Sequence, residues 1–451
     1  MLTPALQEYV SSPAFQLSSE MSPPTPWHRP FRAQDLPSLD FTRPLGATEL
    51  TSNRSLAIHR LLLNIYEQSM LFLPQRQLGE GDMAIFRAFY DAQSVALGQS
   101  LRANIEKAAF ASLDEEIQIS GPWNSDRLED YLVGTITKYE QEPSGLMARI
   151  DAMRDPARAM KYLLIQQASD FLSEASAMAR AIPGNYGPVQ SELMKVFIDE
   201  YGYGIHDKKH STLFEHCCTS AGLSPEAHTY YFHYLPSSLA LTNYFHYICS
   251  NKHLWFRYIG ALYYTEASIP HFNKAMSQSL KRAFGNKVNT AYFDEHVHID
   301  KHHRRMVLDS IIKPTIEMHG TQVIPEILLG FESFRLLQDR ADQDYLAQVA
   351  FIEKLEQQRG HGFHADAATY EPLEAESLTF NEPKGELSFS HIHDDDELFS
   401  VTQGALEFFA GPEPIVLEAG SSVVIPAGRL HGTRVISEAC TYRVQKVRLR
   451  K

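Results

Sequence analysis

The stretch FDEHVHIDKHHR, residues 293–304, decides how the middle of this chain is read. His296, Asp300 and His303 stand at i, i+4 and i+7, a spacing that a helix puts on one face. One edge of a metal site can be built from this run alone. His298 and His302 fall away from that face and are expected at the surface or behind the ligands.

On either side, apolar residues recur at helical spacing in TAYFDEHVHIDKHHRRMVLDSIIKP, LWFRYIGALYYTEASIPHFNKAMSQSLKRAF and PARAMKYLLIQQASDFLSEASAMARAI. Glu266 and Glu174 lie inside two of these apolar patterns, where an unpaired carboxylate is expensive to bury. Taken singly, each is explained by an ion pair or an exposed helix face. Beside the His-Asp-His helix they fit a di-metal site built from carboxylates and imidazoles on facing helices. A further pair, Glu200 and His210, sits in FIDEYGYGIHDKKHSTLF. On an unbroken helix ten residues span about 15 Å, too far for two ligands of one metal pair. The helix must therefore deform, and Gly202 and Gly204 between them are poor helix formers. Glu174, Glu200, Glu266 and Asp300 carry four negative charges, which two ferrous ions neutralise if His210, His296 and His303 are uncharged. Zinc would fit such a set but cannot supply electrons to O2.

From Gly385 the period changes from helical to alternating. Short runs (ELSFSHIH, ELFSVTQGALEFFAG, PIVLEAGSSVVIPAG, TYRVQKVRL) separated by Gly and Pro turns predict a small antiparallel barrel. Within it stand Gly385-x5-His391-x-His393-x3-Glu397-x6-Gly404 and Gly420-x5-Pro426-x-Gly428-x2-His431. Residues two apart on a strand face the same way, so His391 and His393 can share a metal with His431, with Glu397 as a further candidate. This resembles the two-part motif of the cupin superfamily. Val435 stands where that motif often has Asn, a structural position. The alternative is a barrel without metal that only binds a ligand.

The rest of the chain bounds the reading. At 451 residues several domains are expected: a helical region at 1–125 with a Pro-rich opening to Pro44, a helical bundle at 126–336, a charged helix (Gln338 to Gln358) and linker at 337–383, and the barrel at 384–451. The fold class is thus multidomain α + β. With 44% hydrophobic and 21% charged residues and no apolar run near the roughly 20 residues that span a bilayer, no membrane association is expected. No secretory signal is evident, and Cys217, Cys218, Cys249 and Cys440 fit neither a disulfide framework nor a zinc finger, so a cytoplasmic location is expected. A formal charge of -14 argues against nucleic acid and for a small-molecule partner.

The central block resembles the haem-oxygenase-like di-metal oxidases. Nearly the whole chain, through strings such as FRAFY, DFLSEAS, IDEYGYG, HSTLFE, RYIGALYYTE, HIDKHH and HDDDEL, resembles the nitrosourea-forming metalloenzymes. These join an N-terminal helical dimerisation region, a central di-iron domain and a C-terminal cupin. The resemblance implies two Fe(II) ions held by Glu174, Glu200, His210, Glu266, His296, Asp300 and His303, and a third held by His391, His393 and His431. It further implies an N-oxygenase using O2 and an external reductant, which hydroxylates guanidine nitrogens of N-methylarginine or a related amino acid and rearranges the product to an N-nitroso compound. A homodimer is implied as well. Tyr442, on the last strand, is either a catalytic neighbour of the barrel metal or ordinary strand packing. A second reading keeps the helical hydroxylase, acting on another amine, and makes the barrel a binding or sensing module. A third, a metal-free relative of the thiamine-degrading hydrolases, leaves the four carboxylates unexplained and lacks an identifiable nucleophilic Cys. Tyr201, Tyr263, Tyr264 and Asn243 are polar candidates for lining the helical pocket.

If the glycine-bearing segment refolds with metal, residues 200–210 should populate several conformers in metal-free protein. A segment equally rigid with and without iron would count against this.

Overall fold

The computed structural model describes residues 2–17, 21, 25–32, 36, 39–359, 362–365, 369–373 and 377–450. Parts of the Pro-rich opening (18–20, 22–24, 33–35, 37–38) and of the expected linker (360–361, 366–368, 374–376) lie outside the described residues. The chain divides into two compact units, one of Met1–Ala109, His228–Leu239 and Gln343–Lys451, the other of Phe110–Ala227 and Ala240–Asp342.

The first unit contains α1 (Leu2–Val10), α2 (Asn53–Glu67), α3 (Glu80–Phe89) and most of α4 (Ala92–Glu116). Helix α2 starts where the Ser52 side chain accepts from the Ser55 amide, and every residue from Ser55 to Glu67 is buried. A helix covered on all sides has to pair its polar residues internally. Accordingly Glu67 meets Arg29 and His228 (3.0 Å), and Asn64 accepts from Arg29 (3.3 Å) and Tyr231 (3.2 Å).

The same unit holds nine strands among the described residues: β1 (Tyr370–Pro372), β2 (Leu378–Pro383), β3 (Leu387–His391), β4 (Asp396–Gln403), β5 (Ala405–Phe409), β6 (Ile415–Glu418), β7 (Ser422–Ile425), β8 (His431–Val435) and β9 (Ala439–Leu449). One sheet runs β1-β9-β4-β7 with β2 also on β9; the other runs β3-β8-β5-β6. The pairs are antiparallel, and Phe399, Val401, Leu406, Phe408, Leu417, Val423 and Ile425 fill the interior. The expected linker needs correction: β1 and β2 are strands on the edge of β9. Strand β2 is mostly exposed, so it lacks the apolar alternation that betrays a strand in sequence.

The second unit is all helical: α5 (Ser125–Gln141), α6 (Gly145–Asp151), α7 (Pro156–Phe171), α8 (Pro188–Glu200), α9 (His210–Ser220), most of α10 (Pro236–Ser250), α11 (Trp255–Phe284), α12 (Ala291–Met306), a π-helical stretch Val307–Ile312, α13 (Lys313–His319) and the first half of α14 (Ile324–Arg359). The charged segment Gln338 to Gln358 is not a helix of its own but the second half of α14, because EILLGFESFRLL continues the pattern across Gly330. Within this unit α11 and α14 cross at two glycines. A Cβ on Gly260 would lie 1.9 Å from Ile327 O, and one on Gly330 would lie 1.9 Å from Arg257 O. The two backbones touch, and the contact fixes α11 six residues ahead of Glu266.

Gly260→Ala should therefore force the helices apart and lower stability by about 1–3 kcal/mol, read as a lower melting temperature. Unchanged melting would show that the crossing gives way freely.

Candidate metal centres

The second unit gathers its seven candidates into two groups that share one residue. Glu174, Glu200, His210 and His296 form the first, and Glu200, Glu266, Asp300 and His303 the second; within each, one ligand atom per residue lies within 4.8 Å of all the others. Glu200 belongs to both, the geometry of a bridging carboxylate. His296, Asp300 and His303 are buried on one face of α12, while His298 and His302 are exposed.

Helix α8 stops at Glu200, and His210 opens α9, bringing His210 Nδ1 to 2.6 Å from Glu200 Oε2. The break comes from consecutive positive φ values at Gly202 (59°), Tyr203 (55°) and Gly204 (78°). A Cβ on Gly202 would also lie 2.5 Å from Lys209 N, so glycine there is required twice over. Glu174 corrects the sequence reading in a second place. It is not inside a helix: α7 ends at Phe171, residues 172–177 form turns, and Ala175 has φ 62°. This left-handed alanine is disfavoured by roughly 1–2 kcal/mol. The turn lets Glu174 reach α12, where Tyr292 Oη donates to its Oε1 at 2.7 Å.

Hydrogen bonds orient the imidazoles. His296 Nδ1 donates to Tyr292 O (2.7 Å), leaving Nε2 facing Glu174 (3.5 Å) and Glu200 (3.9 Å). His303 is turned the other way, with Nε2 on Asp199 Oδ2 (2.9 Å) and Nδ1 on Glu266 Oε2 (3.1 Å). Asp199 and Tyr292 were not singled out in the sequence. Tyr292 precedes His296 by one helical turn, and Asp199 with Glu200 puts two carboxylates at a helix C-terminus, where the helix dipole disfavours negative charge. Both signals were legible.

Burial and charge are in tension here. Burial favours a neutral Glu200, yet His210, His296 and His303 outweigh it and bring its carboxyl down to about 2. Asp300 goes the other way, raised well above the usual carboxylate range by burial and then by Glu266 and Glu200 against the pull of His296. Both of its oxygens are buried with no hydrogen-bond partner among the described residues, as is Glu174 Oε2. Orphaned acceptors of this kind are what a bound cation satisfies. Oxygen and imidazole donors in two groups joined by a carboxylate fit a pair of iron ions.

The barrel site is made of neutral groups. His391 on β3 pairs with His431 on β8, and with His393 they form a third cluster, ring centroids 4.5–5.1 Å apart. His391 Nδ1 donates to Phe389 O (2.8 Å) and His431 Nδ1 to Arg429 O (3.0 Å), so both Nε2 atoms are free for a metal. Burial keeps all three uncharged, lowering His431 to about 3 and His393 to about 4 and holding His391 well below its ordinary value. Glu397 lies outside the cluster with Oε1 3.2 Å from His393 Nδ1, behind the ring, and burial raises its carboxyl to about 7. The His393 side chain is 35% exposed and marks the open side of the site. Three imidazoles with free positions also fit iron. For Tyr442 the structure shows strand packing: its hydroxyl donates to Glu382 (2.9 Å) and its ring stacks on Phe380 and Phe399. Of the proposed pocket-lining residues, Tyr201 Oη meets Ser176 Oγ at 3.1 Å, while Tyr263, Tyr264 and Asn243 are buried.

Comparison with known proteins places this geometry. The nitrosourea synthase of Streptomyces achromogenes subsp. streptozoticus is 42% identical over 449 residues, 99% of this chain and 95% of the relative. The chain belongs to the nitrosourea synthase family. Residues 161–338 match the iron-containing redox enzyme family Haem_oxygenas_2, and residues 379–444 match the cupin domain. The seven helical candidates and the three barrel histidines fall inside these two matches, respectively. Among solved structures, a haem-oxygenase-like domain from Shewanella denitrificans is 14% identical and covers 52% of this chain and 96% of its own (TM-score 0.40). A cupin-2 protein from Shewanella frigidimarina is 26% identical and covers 19% and 76% (TM-score 0.14). This nitrosourea synthase relative is therefore a non-haem iron oxidoreductase that joins a haem-oxygenase-like helical region to a C-terminal cupin. No helix among the described residues is long and apolar enough to cross a membrane.

The barrel imidazoles and His303 respond to pH with opposite sign. The barrel imidazoles have folded pKa values below the unfolded value of about 6.5, so their contribution is present above that pH and lost as pH falls toward 4 and 3. Burial alone would lower His303 too, but Glu266, Glu200 and the Asp199 hydrogen bond raise it to about 10. Its contribution is full below about 6.5 and disappears as pH rises through about 10. Acidifying metal-free protein from pH 7 to 4 should speed hydrogen exchange in β3 and β8 before it does so in α12. The reverse order would show that other groups control acid stability.

Proposed function

We propose that this protein is a two-site iron oxygenase. The helical site would hydroxylate guanidine nitrogens of an N-methylarginine-like amino acid, and the barrel would carry the product through oxidative rearrangement to an N-nitroso compound. The observation that carries the reading is the pair of ligand groups sharing Glu200, beside an intact three-histidine cluster in the barrel. The similarity to a nitrosourea synthase supports the same assignment.

Glu174, Glu200, His210, Glu266, His296, Asp300 and His303 would hold two Fe(II) ions, and His391, His393 and His431 a third. Ferrous iron so bound supplies electrons and open coordination positions for O2, and an external donor restores the reduced state. The protein's own part is positional and electrostatic. Glu200 spans the two groups, Tyr292 holds Glu174, and Asp199 holds the His303 ring. The carboxylates offset the charge of the ions, which makes burial of the site tolerable. In the barrel the backbone carbonyls of Phe389 and Arg429 fix the imidazole tautomers, and the exposed side of His393 gives substrate its approach. A homodimer through the N-terminal helical region and a cytoplasmic location complete the proposal.

Anaerobic reconstitution with Fe(II), followed by O2, reductant and N-methylarginine with products read by mass spectrometry, tests it. Wild type should hold close to three irons per chain, Glu266→Ala should lose only helical iron and His391→Ala only barrel iron, and oxygenated arginine products should appear. Hydroxylation by a protein without barrel iron would leave the barrel as a binding module. Full iron without turnover would point to another amine.

A further inference from the structure

The strand that carries His391 leaves its ladder where the metal ligands begin. On β3, Ser388 faces Thr433 and His391 faces His431, so Phe389 and Ser390 together oppose Gly432. This is a bulge, two residues against one, and it leaves backbone groups without ladder partners. Gly432 is needed for the close approach, since a Cβ there would lie 2.7 Å from Ser388 O.

The groups freed by the bulge are taken up by side chains of α2. Arg60 Nη1 donates to Ser390 O (2.9 Å) and Nη2 to Ser390 Oγ (2.8 Å), and the Ser390 hydroxyl donates in turn to Phe232 O. On the other side of His391, Asn53 Oδ1 accepts from the Ile392 amide (3.2 Å). The bulge also supplies the carbonyl of Phe389 that sets the His391 tautomer. Arg60 itself is 5% exposed and lies over the Phe232 ring, which packs on Phe389 of the bulge. Strand β8 is held in a similar way, with Gln348 of α14 donating to Leu430 O (2.8 Å) and accepting from Leu430 N (3.0 Å) beside His431.

We propose that Arg60 is a positioning residue of the barrel metal site: its fork on Ser390 holds the β3 bulge in the shape that aims His391 and His393 at a common ion. The N-terminal helix α2 is thereby a working part of the barrel site. The proposal rests on the three histidines being a metal site.

The test is an anaerobic titration of metal-free, full-length protein with Co(II), following visible absorption and bound metal, with His391→Ala marking which ion is the barrel's. Wild type should bind a barrel ion. Arg60→Met should weaken that ion about tenfold to hundredfold, the range for loss of a group that orients a ligand, and leave helical binding unchanged. Arg60→Lys, which keeps one donor, should recover part of the loss, and Ser390→Ala should show a smaller loss confined to the barrel. If Arg60→Met does not fold, the lysine and alanine variants decide. Barrel affinity within twofold of wild type in both would overturn the proposal. Wild type without a barrel ion would instead overturn the metal reading beneath it.

Discussion

Glu200 is shared by two groups of ligands, and the second unit is organised around the cost of burying it. With Asp199, Glu266 and Asp300 it places four carboxylates at 9% exposure or less. Buried charge is stable only when countered at close range. Three imidazoles offset part of it, but among the described residues Asp300 is left without any hydrogen bond, an arrangement that makes sense for a site built to receive cations. Local backbone preferences yield to that demand. The helix breaks after Glu200 through three left-handed residues, and α7 stops short so that a turn with a left-handed alanine can deliver Glu174.

The barrel follows another electrostatic plan. Burial keeps its three histidines neutral, and His391 and His431 take their tautomers from the protein's own carbonyls. A divalent ion held there by neutral imidazoles would keep its positive charge, whereas carboxylates would neutralise one at the helical site. Two sites of one metal can in this way present different electron demand to their substrates, a difference set by donor type alone.

What was legible in the sequence followed from period and spacing. The i, i+4, i+7 run on α12 and the alternating His391 and His393 announce their faces because a single regular element carries them. Glu200 and His210 were legible as a pair only through the two glycines between them, which implied a break. Elsewhere the local pattern points the wrong way: the apolar neighbours of Glu174 continue the helical period, and nothing local marks the turn at Ala175. Strand β2 was read as linker because its residues are exposed on both faces. Asp199 and Arg60 act on ligands distant in sequence, and a one-dimensional pattern shows such contacts only as an unexplained charge in a buried helix.

The first unit is assembled from three separate stretches of chain, and Arg60 finds Ser390 330 residues away. On the ribosome this imposes an order. Residues 110–342 are all synthesised before the barrel, so the candidate ligands of the second unit can come together while the barrel does not yet exist. Helix α2, buried on every side in the finished fold, meanwhile waits for its last partners, Ser390 among them, until the end of translation. A nascent chain of this protein thus passes through a period with the candidate ligands of the second unit together and helix α2 still without its barrel partners. Chaperone demand should peak in that interval.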